Sequence, residues 1–209
     1  EASHPIPDQA GIKATKEIIK LIKTLNKEDL LIVLISGGGS SLLVSPIESV
    51  SLEAKQELTN TLLKCGASIS EINSVRKHLS KVKGGNLASY AFPAKIITLA
   101  ISDVPGDDFG VIASGPTYPD NTSCKNAIAV LEKYKISCSK NIYESLNSEV
   151  SETPDKDDRI FSRSEFKLIA KPQKALLKAA EIVEKNKFSS LILSDSIEGE
   201  SNDIGKVHA

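Results

Sequence analysis

Three short stretches of this chain carry residues that can do chemistry. The first is Ser-Gly-Gly-Gly-Ser-Ser, Ser36 to Ser41, entered directly from the apolar run LLIVLI. Without a Cβ, Gly37, Gly38 and Gly39 can take positive φ and let an anion approach the backbone amides closely. The hydroxyls of Ser36, Ser40 and Ser41 add side-chain donors. The plainer alternative is a tight turn that only joins a strand to a helix. No Gly-Lys-Ser/Thr follows, so the stretch is not a Walker A loop. Leu42 stands where a full G-x-G-x-x-G would have its third glycine.

The second stretch, SDVPGDD at 102–108, places Asp103, Asp107 and Asp108 just beyond the apolar run AKIITLAIS. Carboxylates at a strand end suit Mg²⁺, which takes one or two protein carboxylates together with substrate phosphates. Solvated turn residues, with Asp107 and Asp108 as helix N-caps, are the alternative. SDSIEGE at 194–200 repeats the pattern with Asp195 and Glu198. The third stretch, INSVRKHLSKVKGG, gathers Arg76, Lys77, Lys81 and Lys83 with His78 ahead of Gly84 and Gly85. On one helix Arg76, Ser80 and Lys83 share a face that could take phosphate oxygens, or simply face water. His4, in SHPIPD, is placed rigidly by the two prolines that follow it, Pro5 and Pro7.

Other chemistries find no support. No G-x-S-x-G or Ser-His-Asp signature is present. Cys65, Cys124 and Cys138 are odd in number and lack metal-ligand spacing, which fits reduced thiols in a cytosolic protein. A net charge of −1 argues against nucleic acid or an acidic membrane as partner. No apolar run reaches the roughly 18 residues of a membrane span.

The elements that must position these stretches follow from hydrophobic periodicity. DLLIVLIS (29–36), AKIITLAIS (94–102), EFKLIA (165–170) and SSLILSD (189–195) read as strands, the first of them fully buried. Helical patterns lie between them: 9–26 behind Asp8 as N-cap, 51–66 capped by Ser51 and ended by Gly66, 69–84, 123–134, and 172–187 with Pro172 in its first turn. A last helix starts near 199. DVPGDDFGVIASGPTYPD is a long polar loop, and 148–160 is the one linker candidate. Alternating strands and helices predict an α/β fold, a Rossmann-like three-layer arrangement with a parallel sheet and helices on both faces. Ligands in such sheets sit beyond the carboxyl ends of the strands, where all the glycines, hydroxyls and carboxylates named above collect. The chain opens without Met and closes inside a helical pattern, which reads as a piece of a longer protein.

Taken together, EASHPIPDQAG, LISGGGSSLL, INSVRKHLSKVKGG, LAISDVPGDDFGVIASGPTYPD and EGESNDIGKVHA, in this order, resemble the glycerate 2-kinases of the class that carries a MOFRL domain. The resemblance spans 1–134 and, less closely, 165–209. It implies that 1–209 is part of the larger Rossmann-like N-terminal domain. A preceding segment with an active-site lysine and the C-terminal MOFRL domain lie outside it. It also implies transfer of the γ-phosphoryl group of ATP to a hydroxyl of D-glycerate, with Mg²⁺, in a cytoplasmic enzyme that can form a homodimer.

Roles follow from the same resemblance. The 36–41 loop would hold phosphate or the substrate carboxylate. Arg76, Lys77 and Lys83 would neutralise the transferring group. Asp103, with Asp107 or Asp108, would hold Mg²⁺ or orient the attacking hydroxyl, and Gly115 and Thr117 in ASGPT would form a second turn near the nucleotide. Members of the family also carry the label hydroxypyruvate reductase, so an NAD(P)H-dependent reductase is the alternative, and a non-catalytic glycerate- or nucleotide-binding relative a third reading. A dinucleotide site wants the complete glycine fingerprint, which Leu42 interrupts.

Overall fold

Leu30–Ile35 form strand β1, Lys95–Ile101 β2 and Ser164–Ala170 β3 in the computed structural model, which describes residues 2–148, 150–197 and 199–209. The strands pair in the order β1-β2-β3, all parallel, as the sequence pattern requires. Leu30 lies beside Lys95 and Ile35 beside Ala100, so β1 and β2 end level. The Ser102 amide then donates to the Ala170 carbonyl, bringing the end of β3 to the same edge. Ser36, Ser102 and Lys171 therefore leave the sheet side by side.

Helices α1 (Gln9–Ile22), α2 (Gly39–Leu42), α3 (Leu52–Lys64), α4 (Ile69–His78) and α5 (Asn86–Ala91) lie on the chain around the β1–β2 crossover. Helices α6 (Cys124–Lys133) and α7 (Lys140–Asn147) precede β3, and α8 (Pro172–Lys185) and α9 (Ser201–His208) follow it. The caps are those the sequence signals. Asp8 accepts from the Gly11 amide, Ser51 from Ala54, and Pro172 starts α8. Gly66, at φ +74°, closes the end of α3.

Two apolar cores result. Ile22 of α1, Leu87, Ala88 and Ala91 of α5, Val82 and Ile96 of β2 pack on one face of the sheet. Leu58 and Leu62 of α3, Ile72 and Val75 of α4, Ala127 and Leu131 of α6 and Ile142 and Leu146 of α7 form the other, away from the sheet. The candidate site residues lie on segments that leave both cores, the end of β1 from the first and the end of α4 from the second.

Four expectations change. β1 is not buried on both faces: Leu31 and Val33 point into the core, while Leu30, Ile32 and Leu34 are exposed at 50%, 55% and 75%. It is an edge strand, covered from one side only. SSLILSD is no fourth strand: Leu191 and Leu193 are exposed and 189–194 pairs with nothing in the sheet. Apolar content alone could not distinguish an extended segment with a ladder partner from one without. The 69–84 helix stops at His78, because the chain turns to pair with the stretch after α2: Lys81 donates to the Ser45 carbonyl, and Pro46 and Ser80 form an antiparallel bridge. The linker candidate is a packed strap, with Ser151 and Thr153 buried and the Pro154 carbonyl accepting from Asp120.

That strap closes on a buried ion pair. Lys77 Nζ donates to Asp120 Oδ1 at 3.0 Å, with side-chain exposures of 9% and 0%. Asp120 also accepts from Thr122 and from Thr153 Oγ1. Deleting one partner leaves a buried charge uncompensated. Lys77→Met or Asp120→Asn is expected to lower unfolding free energy by about 3–5 kcal/mol, read from the urea midpoint. A change below about 1 kcal/mol would show the pair to be solvated.

Candidate functional site

The glycine turn at the end of β1 is shaped by its neighbours. Gly38 sits at φ +80°, the left-handed region that side chains disfavour. A Cβ there would also stand 3.1 Å from His4 Cδ2. At Gly37 a Cβ would fall 2.3 Å from Asp103 Oδ2, so the absent side chain is what lets the Asp103 carboxylate reach the turn. Gly39 lies against Ala113. The turn is thus touched by His4, Asp103 and the 113–115 segment, and both expected strand ends meet at it. The α2 helix that follows has four residues, too few to bring a substantial positive end to the turn.

Ser40 is the hub. Its Oγ accepts from Arg76 Nη2 at 2.8 Å and from Lys83 Nζ at 3.1 Å, and lies 2.8 Å from Ser114 Oγ. Lys83 Nζ also donates to the Ser40 carbonyl at 2.6 Å and to that of Leu43 at 3.4 Å. Arg76 reaches the hub from the last turn of α4, Lys83 from the turn after it. Helical periodicity had put both on one helix face; the break at His78 instead swings Lys83 inward, where it is 1% exposed.

Sequence reasoning missed a third cation. Lys55, on α3, is buried and donates to the carbonyls of Arg76 and Leu79 at 3.0 and 2.8 Å. The signal was present: Lys55 falls three residues after Leu52 and three before Leu58, inside an apolar stripe. Lys55, Arg76 and Lys83 line a cleft of about 440 Å³ between α3 and the Pro5–Pro7 segment, and no Asp or Glu is among its described lining residues. Burial, and then the Arg76 charge, push both amines well below the usual lysine range; Lys55 adds a third, smaller push on Lys83. Burial also lowers the Arg76 guanidinium.

The remaining expected residues are placed as follows. Ser41 is buried, its hydroxyl donating to the Gly38 carbonyl and tightening the turn, while Ser36 is exposed at the strand end. Lys77 points away from Ser40, into its pair with Asp120. Its neighbour His78 is also buried and structural in its contacts, bridging the Ser74 carbonyl and the Glu152 carboxylate. Thr117 Oγ1 is hydrogen-bonded to Thr98 Oγ1 of β2 at 2.7 Å, in the core.

Gly115 ends a left-handed run, Ala113, Ser114 and Gly115 having φ of 52°, 62° and 57°. Such conformations cost of order 1–3 kcal/mol for a non-glycine residue and persist only where surroundings over-determine them. Here the carbonyls of Ser114, Gly115 and Pro116 accept from the amides of Gly84, Gly85 and Leu87, so ASGPT clamps the Lys83 turn.

Of the three aspartates, Asp107 pairs with Lys171 at 3.6 Å, and Asp108 Oδ1 accepts from the Gly110 amide at 2.7 Å. Of the three, only Asp103, exposed and beside Gly37, has a carboxylate with neither a hydrogen-bond nor an ion-pair partner among the described residues. Asp195 lies exposed in the unpaired segment after α8, and Glu198 lies outside the described residues.

The depressed amines set the direction of a pH effect. With folded values below 10.5, Lys55 and Lys83 bind fewer protons in the native than in the unfolded chain through that interval. Stability therefore rises with pH up to the ordinary lysine value. The groups facing them are Arg76 and each other, so no carboxylate reverses the sign. Urea unfolding at about pH 8 and about pH 10 should show a higher midpoint at the upper value. A flat or falling midpoint would show the two amines to be solvated.

Comparison with known proteins places this geometry. A family model described as "Domain of unknown function (DUF4147)" matches residues 1–147. The D-glycerate 2-kinase of Thermotoga maritima is 45% identical over 99% of this chain and 48% of its own length. A protein of Agrobacterium vitis named "Putative hydroxypyruvate reductase" is 46% identical over all of this chain and 47% of its own. The crystal structure of glycerate kinase from Thermotoga maritima superposes with a TM-score of 0.86 at 44% identity, covering this whole chain and 49% of that one. The chain thus spans about half the length of the curated relatives it matches. The likeness confirms the Rossmann-like α/β class, and the family model, matching more than half of the chain, shows that the chain belongs to the DUF4147 family.

Proposed function

We propose that the intact protein transfers the γ-phosphoryl group of ATP to a hydroxyl of D-glycerate, giving 2-phosphoglycerate and ADP. The observation that carries this reading is the convergence of Arg76 and Lys83 on Ser40, beside a glycine turn that faces the partnerless carboxylate of Asp103. Phosphoryl transfer asks a protein mainly for positioning and for stabilisation of charge on the transferring oxygens. Fixed cations in low-dielectric surroundings supply the second more strongly than solvated ones. The kinase names of the relatives agree with it.

The roles divide by position. Amides and hydroxyls of residues 36–41 cradle phosphate oxygens, and Arg76 and Lys83 offset their charge. The substrate hydroxyl attacks phosphorus, the bond from phosphorus to the ADP oxygen breaks, and Asp103 orients the attacking hydroxyl and takes its proton or passes it to water. Asp103 would also be the carboxylate that holds Mg²⁺, with ligands completed by phosphate oxygens and water; Asp107 and Asp108 are turned to other partners. Bound there, Mg²⁺ would supply positive charge to offset that of the phosphate oxygens. Lys77, Gly115 and Thr117 serve the site indirectly, by holding the segments that carry Arg76, Lys83 and Ser114.

A reductase fits the turn less well. A dinucleotide pyrophosphate laid on these amides would meet the Asp103 carboxylate without a cation between them, and a nucleoside triphosphate brings Mg²⁺ with it. The test is ADP release by the intact protein with D-glycerate, ATP and Mg²⁺, beside NADH oxidation with hydroxypyruvate. Glycerate-dependent ADP release is expected, falling by about 100-fold or more in Asp103→Asn and Arg76→Gln. NADH oxidation without ADP release would sink the kinase reading.

A further inference from the structure

The loop and Asp103 account for phosphate chemistry, but not for Lys55 or for the cleft it floors. Lys55 is 6% exposed and Lys83 1% exposed, and both face Arg76 with no acidic residue among the described lining. Buried cations are ordinarily paired, because desolvating a charge without a counter-charge costs several kcal/mol. Donor arithmetic points the same way. The three bonds of the Lys83 ammonium all go to Ser40 and Leu43 oxygens. Lys55 uses two of its three, and the Arg76 guanidinium gives one bond, to Ser40, among the described residues. Donors therefore remain on Lys55 and Arg76 for an occupant that brings oxygen acceptors and negative charge. Gln56, Thr59 and Asn60 line the same cleft and offer partners for hydroxyls, while Pro5 to Pro7 form part of its wall.

We propose that this cleft is an oxyanion subsite in which Lys55 and Arg76, backed by Lys83, hold the carboxylate of a small hydroxy acid. The identity of the acid as glycerate rests on the phosphoryl-transfer reading; the oxyanion rests on the cleft alone. The cleft adjoins Ser40, the residue shared with the glycine turn, so an acid held by its carboxylate here presents its hydroxyls toward the phosphate-holding loop. Binding favours the protonated amines, so it draws protons from solvent.

The test is calorimetric titration of the full chain with D-glycerate and, separately, with inorganic phosphate, at about pH 7 and about pH 9, in two buffers of different ionisation enthalpy. D-glycerate should bind with net proton uptake at the higher pH, and phosphate should compete with it. Lys55→Met should weaken binding by about tenfold or more and reduce the uptake. Because Lys55 also holds the end of α4, a second variant guards against misfolding. Thr59→Asp places a carboxylate one helical turn from Lys55; it should raise the thermal midpoint of the ligand-free chain and weaken binding by a similar factor. Unaltered affinity in both variants, or no binding of either anion, overturns the subsite. Phosphate binding with D-glycerate inert overturns the carboxylate assignment. No turnover is needed, so absent ADP release with intact glycerate binding would sink the kinase and leave the subsite standing. Full kinase activity in Thr59→Asp would do the reverse.

Discussion

Two buried lysines and a half-buried arginine, with no acidic partner among the described residues, are the constraint around which this chain is arranged. Lys55, Arg76 and Lys83 come from α3, from the last turn of α4 and from the turn beyond it. They repel one another, and the two lysines are almost fully withdrawn from water. What holds them is a set of carbonyl and hydroxyl oxygens: Arg76 and Leu79 for Lys55, Ser40 and Leu43 for Lys83, Ser40 for Arg76. Neutral acceptors soften such charges but do not cancel them. A protein tolerates that arrangement where an anion completes it, which is why charge rather than shape best describes the site.

Holding such a site open requires rigid surroundings, and these are visible on both sides of it. From one side, the left-handed run Ala113 to Gly115 locks the Gly84–Gly85 turn through two backbone hydrogen bonds, with a third from Leu87 to Pro116, and touches Ser40 through Ser114. From the other, the Lys77–Asp120 pair and the His78–Glu152 contact fasten the end of α4 to the 151–154 strap. Adjacent residues in the sequence thus split their work. Arg76 faces the cleft, while Lys77 and His78 anchor the backbone that aims it. The helical core of α3, α4, α6 and α7 sets the position of α4, and the sheet core sets the position of the glycine turn.

Much of this was legible in the sequence. The apolar runs at 30–35 and 95–101 are strands because β-branched and aliphatic residues fit a pleated, buried surface, and their ends carry the glycines and Asp103 as the parallel α/β pattern demands. Asp8, Ser51 and Pro172 mark helix starts because each meets a local backbone requirement that needs no distant partner. The same local logic explains the errors. SSLILSD has the composition of a strand, but a strand exists only through a neighbour, and none of the sheet strands accepts it. The 69–84 pattern looked continuous because Leu79 and Val82 keep apolar spacing, yet pairing of Ser80 and Lys81 with Ser45 and Pro46 ends the helix at His78.

The sequence by itself determined the α/β class, the glycine turn, the acidic strand end and the basic stretch, since each rests on spacing within a few residues. Only the tertiary structure decided which charges act together. Four basic residues between 76 and 83 are equivalent on paper. Folding sends Lys77 to Asp120 and Lys81 to Glu48 at the surface, turns Arg76 and Lys83 onto Ser40, and brings in Lys55 from more than twenty residues away. A charge's partner depends on which side chains share its low-dielectric surroundings, and that is a property of packing between elements rather than of order along the chain.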